Sequence, residues 1–312
     1  MTWVAWRQGR SENLLALMLL GALAGLLVLT GAHMHSAFDA DGLGGCVGAS
    51  ARPASCSLLS SDFESQFNTV NQLGSWLGFV PGLIGVLLAT PLVLELDQGT
   101  YRLAWTQGIT PQRWFTARLA MLLLGAVLCG AVMIALATWQ RSPLDQLLGR
   151  IGPNSFDLEG VVPIAYTLFA ATAMLAIGAV TRRTGLAATA GFVAYTIVRL
   201  ILRSVRQDLI PAVHVLLPVP QGPRGIFHAW EISHGFANPH GHSVPSAFIT
   251  GCFNPRGNLD AHCLARHHVF QSFVYEPASR FWSLQGAEAG IFLALSTAAI
   301  GLTIWWIKHR IA

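Results

Sequence analysis

The sequence predicts an all-α polytopic membrane protein: six transmembrane helices, an N-terminal interfacial helix and two extracytoplasmic loop regions. Three observations predict it. Hydrophobic residues make up 53% of the 312-residue chain and charged residues only 11%, where a soluble domain carries about 25% charge. Apolar runs at roughly 13–31, 74–94, 115–138, 161–181, 186–204 and 287–307 are each long enough to cross roughly 30 Å of hydrocarbon as a helix. The runs are continuous rather than alternating, which argues against the strands of a membrane barrel.

Taken in order, the chain opens on Trp3 and Trp6 with Arg7 and Arg10 just beyond. Tryptophan prefers the headgroup level and arginine reaches phosphates, so residues 1–12 read as a helix lying on the membrane surface. The apolar stretch that follows is longer than the core of a signal peptide and lacks a small-x-small cleavage site, so a retained first span is expected. The six-helix domain then occupies 13–312, with long segments at 32–73 and 205–286. Short basic clusters set the sidedness: Arg7 and Arg10, Arg102, Arg113 and Arg118, Arg182 and Arg183, Lys308 and Arg310 fall at alternate span ends. By the positive-inside rule these ends face the cytoplasm, and both termini with them. Arg141, Arg150, Arg199, Arg203 and Arg206 fall on the other side and oppose the rule.

Each long outer segment holds a cysteine pair. Three connectivities are possible, and local pairing, Cys46 with Cys56 and Cys252 with Cys263, is the expectation in an oxidising compartment. Cys129, within the third run, reads as a small core residue. The second outer segment carries eight prolines between Pro211 and Pro277, which exclude long helix over most of it. Eight histidines also fall there, His214, His228, His234, His240, His242, His262, His267 and His268. A metal needs three or four converging ligands, and these spacings permit convergence without demanding it. A membrane-embedded, metal-dependent enzyme is therefore the alternative function, set against surface histidines without a ligand.

Net charge of +4 is scattered at membrane boundaries rather than gathered in a stripe, so no nucleic-acid partner is expected. Lys308 is the one lysine beside eighteen arginines. A phosphate-binding loop of the G-x-x-x-x-G-K type needs its lysine on the nucleotide, so no Walker-type ATPase site is expected on this chain. Arg199, Arg203 and Arg206 recur on one face of the fifth run. They suggest either a basic lining near an exit path or ion pairs, with Asp157 and Glu159 as candidate partners. Gly178, Gly185 and Gly191, with Ala187, Ala188 and Ala190, permit close helix contacts in runs four and five.

The polar island between the second and third runs carries the most specific signal. Glu95-x-x-x-Gly99-Thr100, then Leu103-Ala104-Trp105-Thr106-Gln107 and Arg113-Trp114, resemble the corresponding region of bacterial ABC-2-type transporter permeases. Phe156-Asp157-Leu158-Glu159-Gly160-Val161-Val162-Pro163 and Pro277-x-x-Arg280-Phe281-Trp282 resemble one bacterial branch of that family. The resemblance implies a six-span, non-catalytic subunit of an exporter in the bacterial plasma membrane. It also implies a coupling loop at 95–112 that docks on a separate ATP-binding subunit, with ATP and magnesium held there and no cofactor on this chain. Glu95, Leu96, Gly99, Thr100, Tyr101, Arg102, Trp105 and Gln107 are the implied coupling residues. Arg199, Arg203, Asp157 and Glu159 remain candidates for the substrate path or exit. A second permease subunit, identical or related, is the other implied partner, and drug, antibiotic, lipid and peptide all remain open as the amphiphilic cargo. On the residues alone, Tyr101 to Trp105 can form a short helix, and Thr110-Pro111 supplies a cap and first residue for the next.

Overall fold

The structure, a computed structural model, describes residues 10–47, 54–100, 110–219, 228–254 and 259–310. The expected surface helix at 1–12 falls almost wholly outside these residues. The chain is mostly helical, and six of its segments are long and apolar enough to span a bilayer. In order these are α1 (Arg10–Ala40), the paired α3 (Asn68–Leu77) and α4 (Val80–Gln98), α5 (Pro111–Leu148), α6 (Val162–Thr181), α7 (Thr184–Val205) and α10 (Phe281–Arg310), with α2 (Ala54–Gln66) lying between the first two spans.

Several helices outrun the apolar runs that announced them. α1 continues to Ala40 and α5 to Leu148, through Pro143. Their outer turns pack with α2 and α3 around Met34, Phe38, Phe63, Phe67 and Leu144. The first outer segment is thus largely helix rather than loop. Hydropathy marks only the lipid-facing length of a helix, whereas these extensions are stabilised by one another. Cys46 and Cys56 are joined there, and Cys252 with Cys263 in the second outer segment. As the sequence indicates, Thr110 caps α5 by accepting from the Arg113 amide at 3.4 Å, and Pro111 follows it.

The second outer segment folds into a three-stranded antiparallel sheet that hydropathy did not disclose. Its strands are β1 (Val213–Pro218), β2 (Trp230–Ala237) and β3 (Phe270–Glu276), in the order β1-β3-β2. Val213 faces Tyr275, and Trp230 faces Glu276. Two short helices, α8 (Ser246–Thr250) and α9 (Ala261–Arg266), are stapled by the Cys252–Cys263 bond beside the sheet. The β-branched and aromatic content of 213–217 and 273–275 was the available signal.

α6 is the central helix: 15 of its 20 residues are buried, and it packs on α4, α5, α7 and α10. Lipid tails are as apolar as leucine, so burial of apolar area does little to drive spans together, and close backbone approach must do it. Two glycines permit that approach. A Cβ on Gly85 of α4 would lie 2.4 Å from the Thr167 carbonyl oxygen of α6, and one on Gly191 of α7 would lie 2.9 Å from Cα of Met174. Gly185, one of the small residues with the same expected role, has open space around it.

Overpacking a tight contact costs about 1–3 kcal/mol. Gly191→Leu is therefore expected to lower the melting temperature of the detergent-solubilised protein by several degrees, while Gly185→Leu leaves it unchanged. Equal melting of the two variants would place the close contact elsewhere.

Candidate functional site

The residues singled out by sequence divide between the two ends of the bundle. At the elbow end, α4 finishes at Gln98, and Gly99 takes a left-handed conformation (φ 69°) that turns the chain out of the helix. A side chain in that conformation is strained by roughly 1–2 kcal/mol, which is why glycine stands there. Thr100 follows, partly buried. Tyr101, Arg102, Trp105 and Gln107 lie outside the described residues.

The root of the elbow is fastened on three sides. Glu95 pairs with Arg118, joining α4 to α5 across the turn. Leu96 is buried among Phe115, Leu119, Ala179, Ala187 and Ile307, which come from α5, α6, α7 and α10. Asp97 reaches the next loop, where its Oδ2 accepts from the amide and the hydroxyl of Thr184 at 2.9 and 2.8 Å. Thr184 opens α7, and Arg183 before it offers no side-chain cap. Asp97 is therefore the N-terminal cap of a helix 87 residues away. The magnitudes rank these ties. An ion pair that keeps some access to solvent stabilises by about 0–1 kcal/mol, whereas burying a leucine contributes about 1.5–3 kcal/mol. Leu96 anchors the elbow; Glu95 and Asp97 set its direction. Sequence reasoning singled out Glu95 and Leu96 and passed over Asp97, whose partner is remote in the chain.

At the far end, four charged side chains are packed without solvent access. Asp157 lies between Arg199, 2.6 Å away, and Arg206, and Arg206 also donates to Glu288 of α10 at 2.8 Å. The Tyr166 hydroxyl donates to Glu288 and lies 3.3 Å from Asp157. Arg206 stacks over Phe156 at 4.1 Å and Arg199 over Phe79 at 4.3 Å. Two cations and two anions leave the group neutral, which is the condition for burying charge at all. Burial opposes ionisation of Asp157, but Arg206 and Arg199 outweigh it and hold the carboxyl below its ordinary range.

The same cluster governs a defect in the second span. α3 and α4 are separated by a break at Gly78 and Phe79. Tyr195 of α7 donates to the Gly78 carbonyl at 2.7 Å, and Arg199 donates to that of Ser75 at 3.4 Å. Side chains of span five thus satisfy the backbone groups that the broken helix exposes. Beside them, Glu159 accepts from Arg150 at 2.6 Å and lies 3.7 Å from Arg141. Gln285 of α10 accepts from the amides of Val161 and Val162 at 3.0 Å, capping α6.

Arg199, Asp157 and Glu159 are therefore brought together by the fold, but inside the bundle and paired, with Arg203 partly exposed alongside. Arg206, Tyr166, Gln285 and Glu288 complete the arrangement. Arg206 was legible from its spacing; Gln285 and Glu288 were not singled out, because their partners are remote in the chain. The stretches 156–163 and 277–282 also meet here, with Phe156 and Phe281 edge to face at 5.8 Å. Seven of the eight outer histidines are exposed, and among the described residues no three metal-ligating side chains gather to hold an ion.

A family model described as ABC-2 membrane transporter related matches residues 17–206, more than half of the chain. The chain belongs to that family. No curated protein and no solved structure matches it. In this ABC-2 family member the matched stretch contains the whole elbow and, at the far end, Asp157, Arg199 and Arg206. Gln285 and Glu288, which complete the far cluster, lie beyond it.

Removing one member of a buried ion group costs about 3–5 kcal/mol, because its partners keep their charge. Asp157→Asn is expected to lower thermal stability by that order, measured as melting in detergent. The pH dependence follows from the depressed carboxyl. Its contribution is fully present above the unfolded value of about 3.9 and is lost as pH falls through the lower folded value. Wild-type melting should thus owe none of any change between pH 7 and 5 to Asp157, and should show an acid loss below about pH 4 that Asp157→Asn lacks. At the elbow, losing a helix cap costs about 0.5–2 kcal/mol, so Asp97→Ala should speed amide exchange over the first turn of α7 and leave α6 protected.

Proposed function

We propose that this chain is the membrane-spanning permease subunit of an ATP-driven exporter, moved by a separate ATP-binding subunit that grips the elbow at 95–112. Family membership makes it a permease component of an ABC transporter, and so implies an ATP-binding partner. The observation that carries the coupling reading is the threefold fastening of the elbow root, through Glu95 to α5, Leu96 to the helix core and Asp97 to the start of α7. A force applied at the elbow reaches four other spans through contacts already formed. A loop joined only through its two chain ends would tilt without moving the bundle.

The partner holds ATP and magnesium; this chain does no chemistry. Closure of two such partners on two permease subunits, identical or related, shifts the population between an inward-open state and one closed or open to the outside. The cargo is an amphiphile. Sidedness follows from the charge census. Four of the five arginines that oppose the positive-inside rule, Arg141, Arg150, Arg199 and Arg206, are engaged by Glu159, Asp157 and Glu288 at the far end, and Arg203 is partly exposed. Arg113, Arg182 and Arg183 at the elbow end are exposed. Exposed arginines on the elbow side support the reading that this side faces the cytoplasm.

The test is co-purification with a tagged candidate ATP-binding subunit, followed by substrate-stimulated hydrolysis. Trp105→Ala and Gly99→Val are expected to abolish both co-purification and transport while the chain still inserts and forms its two disulfides. Normal transport by either variant, or labelling of an elbow cysteine from outside intact cells, would overturn the reading.

A further inference from the structure

α1 and α5 meet closely at one level and separate below it. A Cβ on Gly31 would lie 2.5 Å from the Trp139 ring and 3.1 Å from Cα of Gln140, so the two helices touch there with nothing between them. Further towards the middle of the spans the gap becomes a cavity of about 200 Å³, lined among others by Leu23, Leu27, Ile84, Cys129, Met133 and Leu136. Above it, Gln140 bridges the two helices through Thr30 and the Met34 sulfur. Two further lining residues, Leu128 and Val132, are 56% and 60% exposed, so the cavity opens sideways, out of the bundle.

Depth and chemistry decide the occupant. Trp139 is partly exposed and stacks on His35, whose Nε2 lies 3.0 Å from the Trp139 carbonyl and 3.2 Å from the Ser142 hydroxyl. An amphipathic aromatic group beside polar ones marks the boundary between headgroups and hydrocarbon. Leu136 to Leu128 lie three to eleven residues deeper along the same helix, roughly 5–16 Å at 1.5 Å per residue. That interval runs down to the midplane of a hydrocarbon core roughly 30 Å thick. Water needs two to four polar partners to occupy a cavity, and an apolar cavity of about 150 Å³ is known to stay dry and to take up hydrocarbon. The material that abuts a lateral opening at this depth is lipid chain.

We propose that the slot between α1 and α5 binds one acyl chain of a phospholipid in the leaflet on the far side from the elbow, its headgroup resting at the level of Trp139 and His35. The chain fills the space that the Gly31–Trp139 contact opens beneath it and completes the packing of α1, which among the described residues has the smallest buried share of the six spans. The inference is independent of the elbow and of the cargo.

The full-length protein is placed in vesicles of phosphatidylethanolamine and phosphatidylglycerol doped with a phospholipid carrying a mid-chain diazirine, then irradiated, and the labelled residues are mapped by mass spectrometry. Labelling of 20–27 and 128–136 is expected to exceed several-fold that of the exposed residues Val193, Ile197 and Leu200 of α7 and Leu293 and Leu302 of α10. Ala24→Phe and Cys129→Leu fill the slot from opposite walls. Either should bring the excess down to the α7 and α10 level without changing labelling there, with formation of both disulfides as the check on folding. Labelling no greater than on α7 and α10, or an excess that survives both fillings, overturns the proposal. Labelling lower than on α7 and α10, with cross-links to a second copy in its place, overturns it in favour of a protein contact.

Discussion

Two guanidinium groups, on Arg199 and Arg206, are held out of water at the far end of the bundle because Asp157 and Glu288 bring opposite charge directly against them. An isolated buried charge costs several kcal/mol even after relaxation, so the four side chains must arrive together or not at all. They come from the approach to α6, from α7 and the turn after it, and from α10. Their meeting therefore requires those elements to be in register. The cluster also reaches the second span, because Tyr195 and Arg199 supply the donors that its broken helix needs at Gly78 and Ser75. A neutral, buried ionic group thus dictates the geometry of spans two, four, five and six at one end.

This dependence divides the molecule mechanically. At the far end charge fastens the approach to α6, α7 and α10, while close approach at Gly85 and Gly191 fastens α4 and α7 to α6. α1 packs mainly on α5, with the apolar slot between them, and α5 in turn packs on α6 and α4. The elbow lies where the two parts join, its root in α4 and its return in α5, and the Glu95–Arg118 pair spans that junction. Asp97 adds a second tie, since it caps α7 from the opposite side of the loop.

Particular residues show how much was legible beforehand. The six spans, the cap at Thr110 and the local cysteine pairs follow from short-range properties: hydropathy over a window, a side-chain oxygen within reach of an amide three residues on, and two thiols ten or eleven residues apart. Arg199 and Arg206 drew notice because arginine within an apolar run is costly wherever it occurs. The sheet of the second outer segment stayed hidden because β1 and β3 are more than fifty residues apart and each is short. Asp97, Gln285 and Glu288 stayed hidden for the same kind of reason, as each acts on a partner 82 or more residues away.

By itself the sequence determined that the chain spans a membrane six times, where it turns, and that it resembles a transporter permease, because the free energy of placing each segment in lipid is a sum over its own residues. Only the tertiary structure decided that the far-end arginines are paired inside the bundle, that the elbow root is tied to a remote helix, and that a lipid-sized slot opens beneath Gly31. These depend on which surfaces of distant segments face one another. Within a bilayer that choice is made by close packing and by the pairing of buried charge, and neither can be summed along the chain.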